Sequence, residues 1–149
     1  MKNEIKLLHF CADDAPLLRE RQYPNLSLQD IENYIRRWNT FEHKGRYFEA
    51  LKISLDGKTI GYLSLYEQTA DVVSFGIEIY PPFQRRGYGT LALKKGITYA
   101  KKLGFSVAVA ERLDKNEASR KLLENAAFVF ERNYVNTKGR LVAYYSKPL

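Results

Sequence analysis

The sequence predicts a mixed α/β (α+β) fold, with a mostly antiparallel central sheet of about seven strands and about four flanking helices. The length of 149 residues suits a single domain, residues 1–149. Hydrophobic residues make up 45% of the chain and charged residues 28%, which is typical of globular proteins and excludes a disordered class. Segments with strand periodicity alternate with segments of helical periodicity, in the order β-α-α-β-β-β-α-β-α-β-β.

Local signals justify each element. The predicted strands cover residues 4–10, 46–55, 59–67, 72–80, 105–110, 128–135 and 140–147. The predicted helices comprise two within residues 12–40, one over about 89–103 and one over 117–125. Ser27 and Asp30 have the spacing of a capping box, and Asp56-Gly57 is a strong hairpin signal. The strand–helix–strand unit from 72 to 110 predicts one parallel strand pair.

Composition also limits the functional classes. The longest apolar runs are five residues, too short for a transmembrane helix, and the N-terminal segment lacks the apolar core of a signal peptide. Cys11 is the only cysteine, which excludes an internal disulfide and a four-cysteine metal site. We therefore expect a cytoplasmic protein with no membrane partner and no metal.

The positive charge is concentrated in one half of the chain. Residues 1–70 carry ten basic and ten acidic side chains, whereas residues 71–149 carry fourteen basic and seven acidic ones. The C-terminal half therefore holds the whole net charge of +7, which indicates a polyanionic ligand such as nucleic acid or a phosphate-rich cofactor. The alternative is that four lysines merely solvate one helix: Lys94, Lys95, Lys101 and Lys102.

One segment carries the strongest chemical signal. A strand ends at a proline pair, and a short loop with two arginines and two glycines leads into a helix. The loop contains Gln84, Arg85, Arg86, Gly87, Tyr88, Gly89 and Thr90. Free N–H groups at a helix N-terminus bind anions, and glycines let the backbone approach a pyrophosphate closely. The segment therefore predicts a pyrophosphate site.

Two interpretations of this segment follow from the residues alone. Residues 87–92 match the dinucleotide fingerprint G-x-G-x-x-G/A, and Glu111 lies about 20 residues further on. In a dinucleotide fold, however, the strand runs straight into the glycines, and more parallel units follow than the 38 residues after Glu111 allow. The other interpretation is a glycine-rich connection that binds nothing.

The segment also resembles a known family. Residues 84–89, Gln-Arg-Arg-Gly-Tyr-Gly, are similar to the (Q/R)-x-x-G-x-(G/A) signature of the GNAT acyltransferases, which bind acetyl coenzyme A. Residues 116–128 resemble the N-x-x-S-x-x-(V/L)-L-E-K-x-G-F stretch of the GNAT branch that acetylates ribosomal-protein N-termini, spermidine and some antibiotics. The match covers roughly residues 72–130, and the predicted order of elements fits a GNAT-like fold.

The resemblance implies roles for individual residues. Ile79 would offer its N–H to the acetyl carbonyl or the pantetheine arm, beside Tyr80, and the backbone from Arg85 to Thr90 would hold the pyrophosphate. The implied coenzyme-binding residues are Ile79, Tyr80, Gln84, Arg85, Arg86, Gly87, Tyr88, Gly89, Thr90, Asn116 and Ser119. Ser119 would lie near the sulfur and is also a catalytic candidate. A helix N-cap is the alternative role for Asn116, and an ordinary surface position is the alternative for Ser119.

Glu78 is the candidate general base, because it precedes Ile79 on the strand that would carry the thioester. The alternative is a solvated or ion-paired glutamate. Many GNAT enzymes have a tyrosine in the last helix that protonates the departing thiolate, and Leu123 occupies that position here. Other candidates for this acid are Tyr80, Tyr134 and Tyr144.

The expected function is acetyl transfer from acetyl coenzyme A to a primary amine of a small molecule or a protein N-terminus, by direct attack in a ternary complex. Residues 71–149 would bind the coenzyme. Residues 1–70 would supply the acceptor pocket, through the first helices and the strand ends around Glu49 and Glu67. One alternative is a non-catalytic protein that binds coenzyme A, and another is a nucleic-acid-binding module, for which no motif is present. The sequence leaves a homodimer open.

Overall fold

A computed structural model describes residues 4–149 of the chain; residues 1–3, part of the segment expected to lack a signal-peptide core, lie outside this range. The strands are β1 (Ile5–His9), β2 (Glu42–His43), β3 (Arg46–Leu55), β4 (Lys58–Glu67), β5 (Val72–Ile79), β6 (Val107–Leu113), β7 (Val129–Val135) and β8 (Leu141–Pro148). The helices are α1 (Ala15–Arg21), α2 (Leu28–Trp38), α3 (Tyr88–Lys102) and α4 (Glu117–Asn125). The predicted fold class is confirmed. The sheet has eight strands among the described residues rather than about seven, because β2, only two residues long, also pairs with β3.

The sheet is open and mostly antiparallel. Its order is β1-β3-β4-β5-β6-β8-β7, and β5 and β6 form its parallel pair. That pair is joined through α3, which supplies the crossover that a parallel connection requires. The β3–β4 hairpin turns at Asp56 and Gly57, whose φ angles of 50° and 87° are both left-handed, as the favoured two-residue hairpin turn requires.

Helices cover both faces of the sheet. Alternation along the strands sends residues such as Leu51 and Ile53 to one face and Ala50 to the other. The first face packs against α3 and α4, through side chains that include Leu93 and Leu123. The second packs against α1 and α2. The described part of the chain contains no helix long and apolar enough to span a membrane.

One predicted boundary is wrong. The apolar run predicts a strand over 105–110, whereas β6 runs from Val107 to Leu113. The polar residues Glu111 and Arg112 remain in the strand because they pair with Tyr144 and Ala143 of β8. The backbone hydrogen bonds of this partner strand extend β6 beyond its apolar part.

Candidate functional site

The parallel strands β5 and β6 separate partway along their length. Their pairing runs only from Val72 opposite Val107 to Phe75 opposite Ala110. Beyond this point β5 continues along β4 as far as Ile79, whereas β6 continues along β8. A split therefore opens between the two strands at the end of β5.

The backbone of Ile79 faces this split. The N–H of Tyr80 donates to the carbonyl of Ile60 at 2.8 Å, so that Tyr80 points its N–H towards β4. Backbone groups alternate in direction along an antiparallel strand, and the N–H of Ile79 therefore points away from β4. The Ile79 carbonyl accepts a hydrogen bond from Nε2 of Gln84 at 2.7 Å. The side chain of Gln84 thus fixes the motif loop against the end of β5.

The loop after β5 leads into α3 through an irregular backbone. Residues Pro81–Phe83 form a short 3-10 turn, and Arg85 and Gly87 have left-handed φ angles of 64° and 83°. The first hydrogen bond of α3 runs from the N–H of Leu91 to the carbonyl of Gly87. The N–H groups of Gly89 and Thr90 lie in the first turn of α3, before this bond, where a helix supplies no acceptor from a preceding turn. Such N–H groups and the helix dipole favour negative charge, so the start of α3 is suited to bind an anion.

The loop also carries two arginine side chains that form no ion pair with the described residues. Arg85 and Arg86 are exposed, and neither forms an ion pair with any residue between 4 and 149. A Cβ built on Gly87 would meet no atom within 4 Å, so the backbone there is open to a ligand. The loop can therefore place backbone donors, two guanidinium groups and open space around one anionic group.

Gly89 holds the elements of the site together. A Cβ at this position would lie 2.6 Å from Cδ1 of Leu122 on α4 and 3.3 Å from Cγ1 of Ile79 on β5. The absence of a side chain at Gly89 lets α3, α4 and the end of β5 meet. The loop and first turn of α3, residues 85–90, are called the cradle below, and the cradle is consequently adjacent to the split.

The first turn of α4 contains the other two predicted coenzyme residues. Asn116 is the N-cap, and its side chain accepts a hydrogen bond from the N–H of Ser119 at 3.0 Å. The capping role considered for Asn116 is therefore present. Ser119 is half-buried and lies one turn before Leu122, the residue that contacts Gly89. Leu123 is 3% exposed and belongs to the apolar core.

Glu78 lies on the opposite face of β5 from the core side chains, among tyrosines. Its side chain is exposed. Burial raises the pKa of Tyr62 to about 12, and the charge of Glu78, the charge of Tyr23 and a hydrogen bond with Glu78 add to this increase. Burial also raises the pKa of Tyr23, with a smaller contribution from Glu78. The carboxylate of Glu78 is therefore close to these tyrosine hydroxyls.

The three tyrosines considered as proton donors lie in different places. Tyr80 is fully buried, and its hydroxyl donates to Oε1 of Gln22 at 2.7 Å. Tyr134 on β7 donates to Glu111, which raises its pKa. Tyr144 on β8 stacks under Arg132, whose Cζ lies 4.2 Å from the ring centre. Only Tyr80 is adjacent to Ile79.

The structure places the two carboxylates expected near the acceptor pocket, Glu49 and Glu67, away from the split. Glu49 is 2% exposed, lies 2.6 Å from Nε2 of His9 and accepts a 2.7 Å hydrogen bond from the hydroxyl of Tyr99 on α3. It therefore lies on the α3 side of the sheet, away from α1 and α2. Glu67 pairs with Val73, at the other end of β5 from Ile79. Neither carboxylate reaches the split, because the strand register sets their face and level.

Four residues around the split were missed by sequence reasoning: Arg21, Gln22, Tyr23 and Tyr62. Three of them end α1 or follow it, and the fourth lies on β4, so that only the packing of α1 against the sheet brings them to Glu78 and Tyr80. No spacing in the sequence indicates this arrangement.

Comparisons with known proteins agree with this geometry. Residues 3–129 match the family model described as "Acetyltransferase (GNAT) domain". RimL, a ribosomal L7/L12 alpha-N-protein acetyltransferase solved in complex with coenzyme A, has a TM-score of 0.85 at 16% identity, over 97% of this chain and 94% of that chain. The microcin C7 self-immunity acetyltransferase MccE, solved with acetyl-CoA and AMP, has a TM-score of 0.81 at 20% identity, over 98% and 93%.

A spermidine N-acetyltransferase SpeG chimera from Vibrio cholerae and hSSAT has a TM-score of 0.80 at 18% identity, over 97% of this chain and 94% of that chain. At these identities the structural likeness shows a common fold. No curated protein matches the chain significantly in sequence. The family match covers most of the chain, including β5, the loop after it and α3. The chain therefore belongs to the GNAT acetyltransferase family.

Proposed function

We propose that the protein is an N-acetyltransferase that transfers an acetyl group from acetyl coenzyme A to a primary amine of a small molecule or a protein N-terminus. The observation that carries this proposal is the meeting of two features at the end of β5: the N–H of Ile79 turned into the split, and the first turn of α3 with the N–H groups of Gly89 and Thr90. Family membership supports it, as do the coenzyme complexes of two neighbours. The single cysteine suits a cytoplasmic location.

The cradle suits the phosphates of a coenzyme. Backbone N–H groups from Arg85 to Thr90 would hold the pyrophosphate, with the two exposed arginines close by. Tyr80 and Gln84 fix the loop at the end of β5, while Asn116 and Ser119 would line the other wall of the split. Bound acetyl coenzyme A would supply the acetyl group in activated form, as a thioester.

The surrounding residues can perform the remaining chemistry by direct transfer. Glu78 would take a proton from the attacking amine, which must be neutral to react. The N–H of Ile79 would donate to the acetyl oxygen, where negative charge develops. Ser119 is the one hydroxyl side chain of α4, and we propose that it lies near the sulfur. Holding both substrates at the split would supply much of the rate by itself.

A non-catalytic protein that binds coenzyme A is the alternative, and Leu123 is the observation that favours it. Many relatives have a tyrosine there as the acid for the departing thiolate, whereas this leucine is buried in the core. Acetylation of any amine by the purified protein would exclude this alternative.

The first experiment measures melting temperature with acetyl-CoA, NADPH and a short DNA duplex in parallel. A ligand at 100 times its dissociation constant adds about 2.7 kcal/mol of stability, a shift of several degrees. We expect a shift with acetyl-CoA alone, followed by release of free thiol when amines are added. A shift with NADPH or DNA but none with acetyl-CoA would contradict the proposal.

A further inference from the structure

Arg21, at the end of α1, lies near the candidate site in surroundings that are unusual for an arginine. Its Cζ lies 5.5 Å from the centre of the Tyr80 ring. The next residue, Gln22, accepts the hydrogen bond from the Tyr80 hydroxyl, and Tyr80 directly follows Ile79. Arg21 is thus held against the end of β5, on the face that carries Glu78.

The guanidinium of Arg21 lacks an acidic partner. Among the described residues it forms no ion pair, and its Nε is buried without any hydrogen-bond partner. Stacking on Tyr80, rather than a carboxylate of the protein, holds the group in place. A half-buried, preorganised and unpaired guanidinium is suited to bind an acidic group of a ligand in two parallel hydrogen bonds.

Glu78 places an opposite charge in the same neighbourhood. Burial raises the pKa of Tyr80, the charge of Glu78 adds to the increase, and the charge of Arg21 opposes it. Both charges therefore act on the same buried ring, yet no ion pair joins them. A cation and an anion that lie near the same ring but do not pair are complementary to a ligand that carries an ammonium and an acidic group.

We propose that Arg21 binds an acidic group of the acceptor, so that the acceptor is a primary amine that also bears a carboxylate or a phosphate. This inference rests on the proposed acetyl transfer. The amine would approach Glu78 and Ile79 while the acidic group pairs with Arg21. A polyamine fits less well, because its second ammonium would meet the guanidinium.

The test compares amines that differ only in the acidic group. The common L-amino acids are assayed against their amides, and O-phosphoethanolamine against ethanolamine, with acetyl-CoA at saturation. We expect the acidic member of at least one pair to have a kcat/KM higher by about tenfold or more, as charge-assisted pairing with arginine implies. The first arm identifies a carboxylate and the second a phosphate. Equal or better use of the neutral members in both arms would overturn the inference.

Variants then assign the preference to this side chain. We expect Arg21→Gln to lower the preference to within about twofold, whereas Arg19→Gln, an exposed change on the same helix, keeps it. Arg21→Lys keeps the charge without the planar fork and should retain part of the preference. A preference that survives in Arg21→Gln would overturn the assignment. If Arg21→Gln fails to fold, the preference of the unmodified protein and the Arg21→Lys variant still decide.

Failure of the inference is distinguishable from failure of the proposed function. If no probe is acetylated, melting temperatures with coenzyme A and each probe replace the kinetic comparison. Stabilisation by acidic probes beyond their neutral partners, lost in Arg21→Gln, supports the inference, and its absence overturns it. If the protein acetylates neutral amines as well as acidic ones, the proposed function stands and the inference is wrong. If it binds no acetyl-CoA, both are wrong.

Discussion

At the scale of single residues, the end of β5 presents a backbone N–H at one residue and a side-chain carboxylate at the residue before it. Ile79 contributes its N–H to the split, and its side chain packs against Gly89 in the core. Glu78, one residue earlier, directs its carboxylate to the opposite face, among tyrosine hydroxyls. The strand alternation therefore places a backbone donor and a carboxylate at adjacent residues of one strand end, as the proposed acetyl transfer would require.

This arrangement predicts the effect of removing the carboxylate of Glu78. Glu78→Gln keeps the shape of the side chain but cannot accept the amine proton, so we expect kcat to fall by about 10²-fold or more. The shift in melting temperature with acetyl-CoA should not change, because the coenzyme cradle lies on the loop and α3. Glu42→Gln, on exposed β2, is the control for loss of one negative charge. A kcat within about twofold of the unmodified protein would remove Glu78 from the role of base.

Candidate site residues could be named from the sequence where they accompany a motif, and their roles stay predictions. Glu78 and Ile79 are adjacent to the loop motif, and Asn116 and Ser119 belong to a second stretch resembling the family. Arg21 has no such context, because α1 brings it to Tyr80 across 59 residues of sequence. The strand ends at Glu49 and Glu67 were assigned to the wrong part of the fold for the same reason, since register sets their level and face.

At the scale of elements, α3 links the proposed coenzyme site to the core. Its first turn lies at the loop, and its later residues, including Leu93 and Ala100, are fully buried against the sheet. Local chemistry defines where it begins: Gly87, in a left-handed conformation, is the N-cap. The helix was predicted within one residue at each end, because neighbouring residues in the sequence determine where it begins. The end of β6 was not, because it depends on pairing with β8.

The start of α3 provides a charge test with a matched control. Gly87→Glu and Gly87→Gln share the cost of a side chain at a φ of 83°, about 1–2 kcal/mol, and should have similar melting temperatures. Only the glutamate adds a negative charge to the anion site. We expect Gly87→Glu to weaken acetyl-CoA binding by about tenfold or more beyond Gly87→Gln, measured by titration calorimetry. Equal affinities in the two variants would exclude phosphate binding at this turn.

At the scale of the whole molecule, the positive charge is concentrated in the part of the chain that contains the proposed coenzyme site. The net charge of +7 lies entirely in residues 71–149, the half that contains the split, the cradle and α3. Two mechanisms could use it: direct contact with phosphates at the loop, or a long-range field from all the basic side chains. Screening separates them, because charges further apart than about 8 Å interact weakly at physiological salt.

Two double variants of equal net charge distinguish these mechanisms. Arg85→Gln with Arg86→Gln removes two charges at the cradle, and Lys101→Gln with Lys102→Gln removes two at the far end of α3, about 20 Å away along the helix axis. At 150 mM salt we expect the first pair to weaken acetyl-CoA binding about tenfold or more and the second to change it by less than about twofold. The first pair should also flatten the salt dependence of the dissociation constant. Equal weakening by both pairs would instead assign the excess charge to a general field, with no direct phosphate contact by the loop arginines.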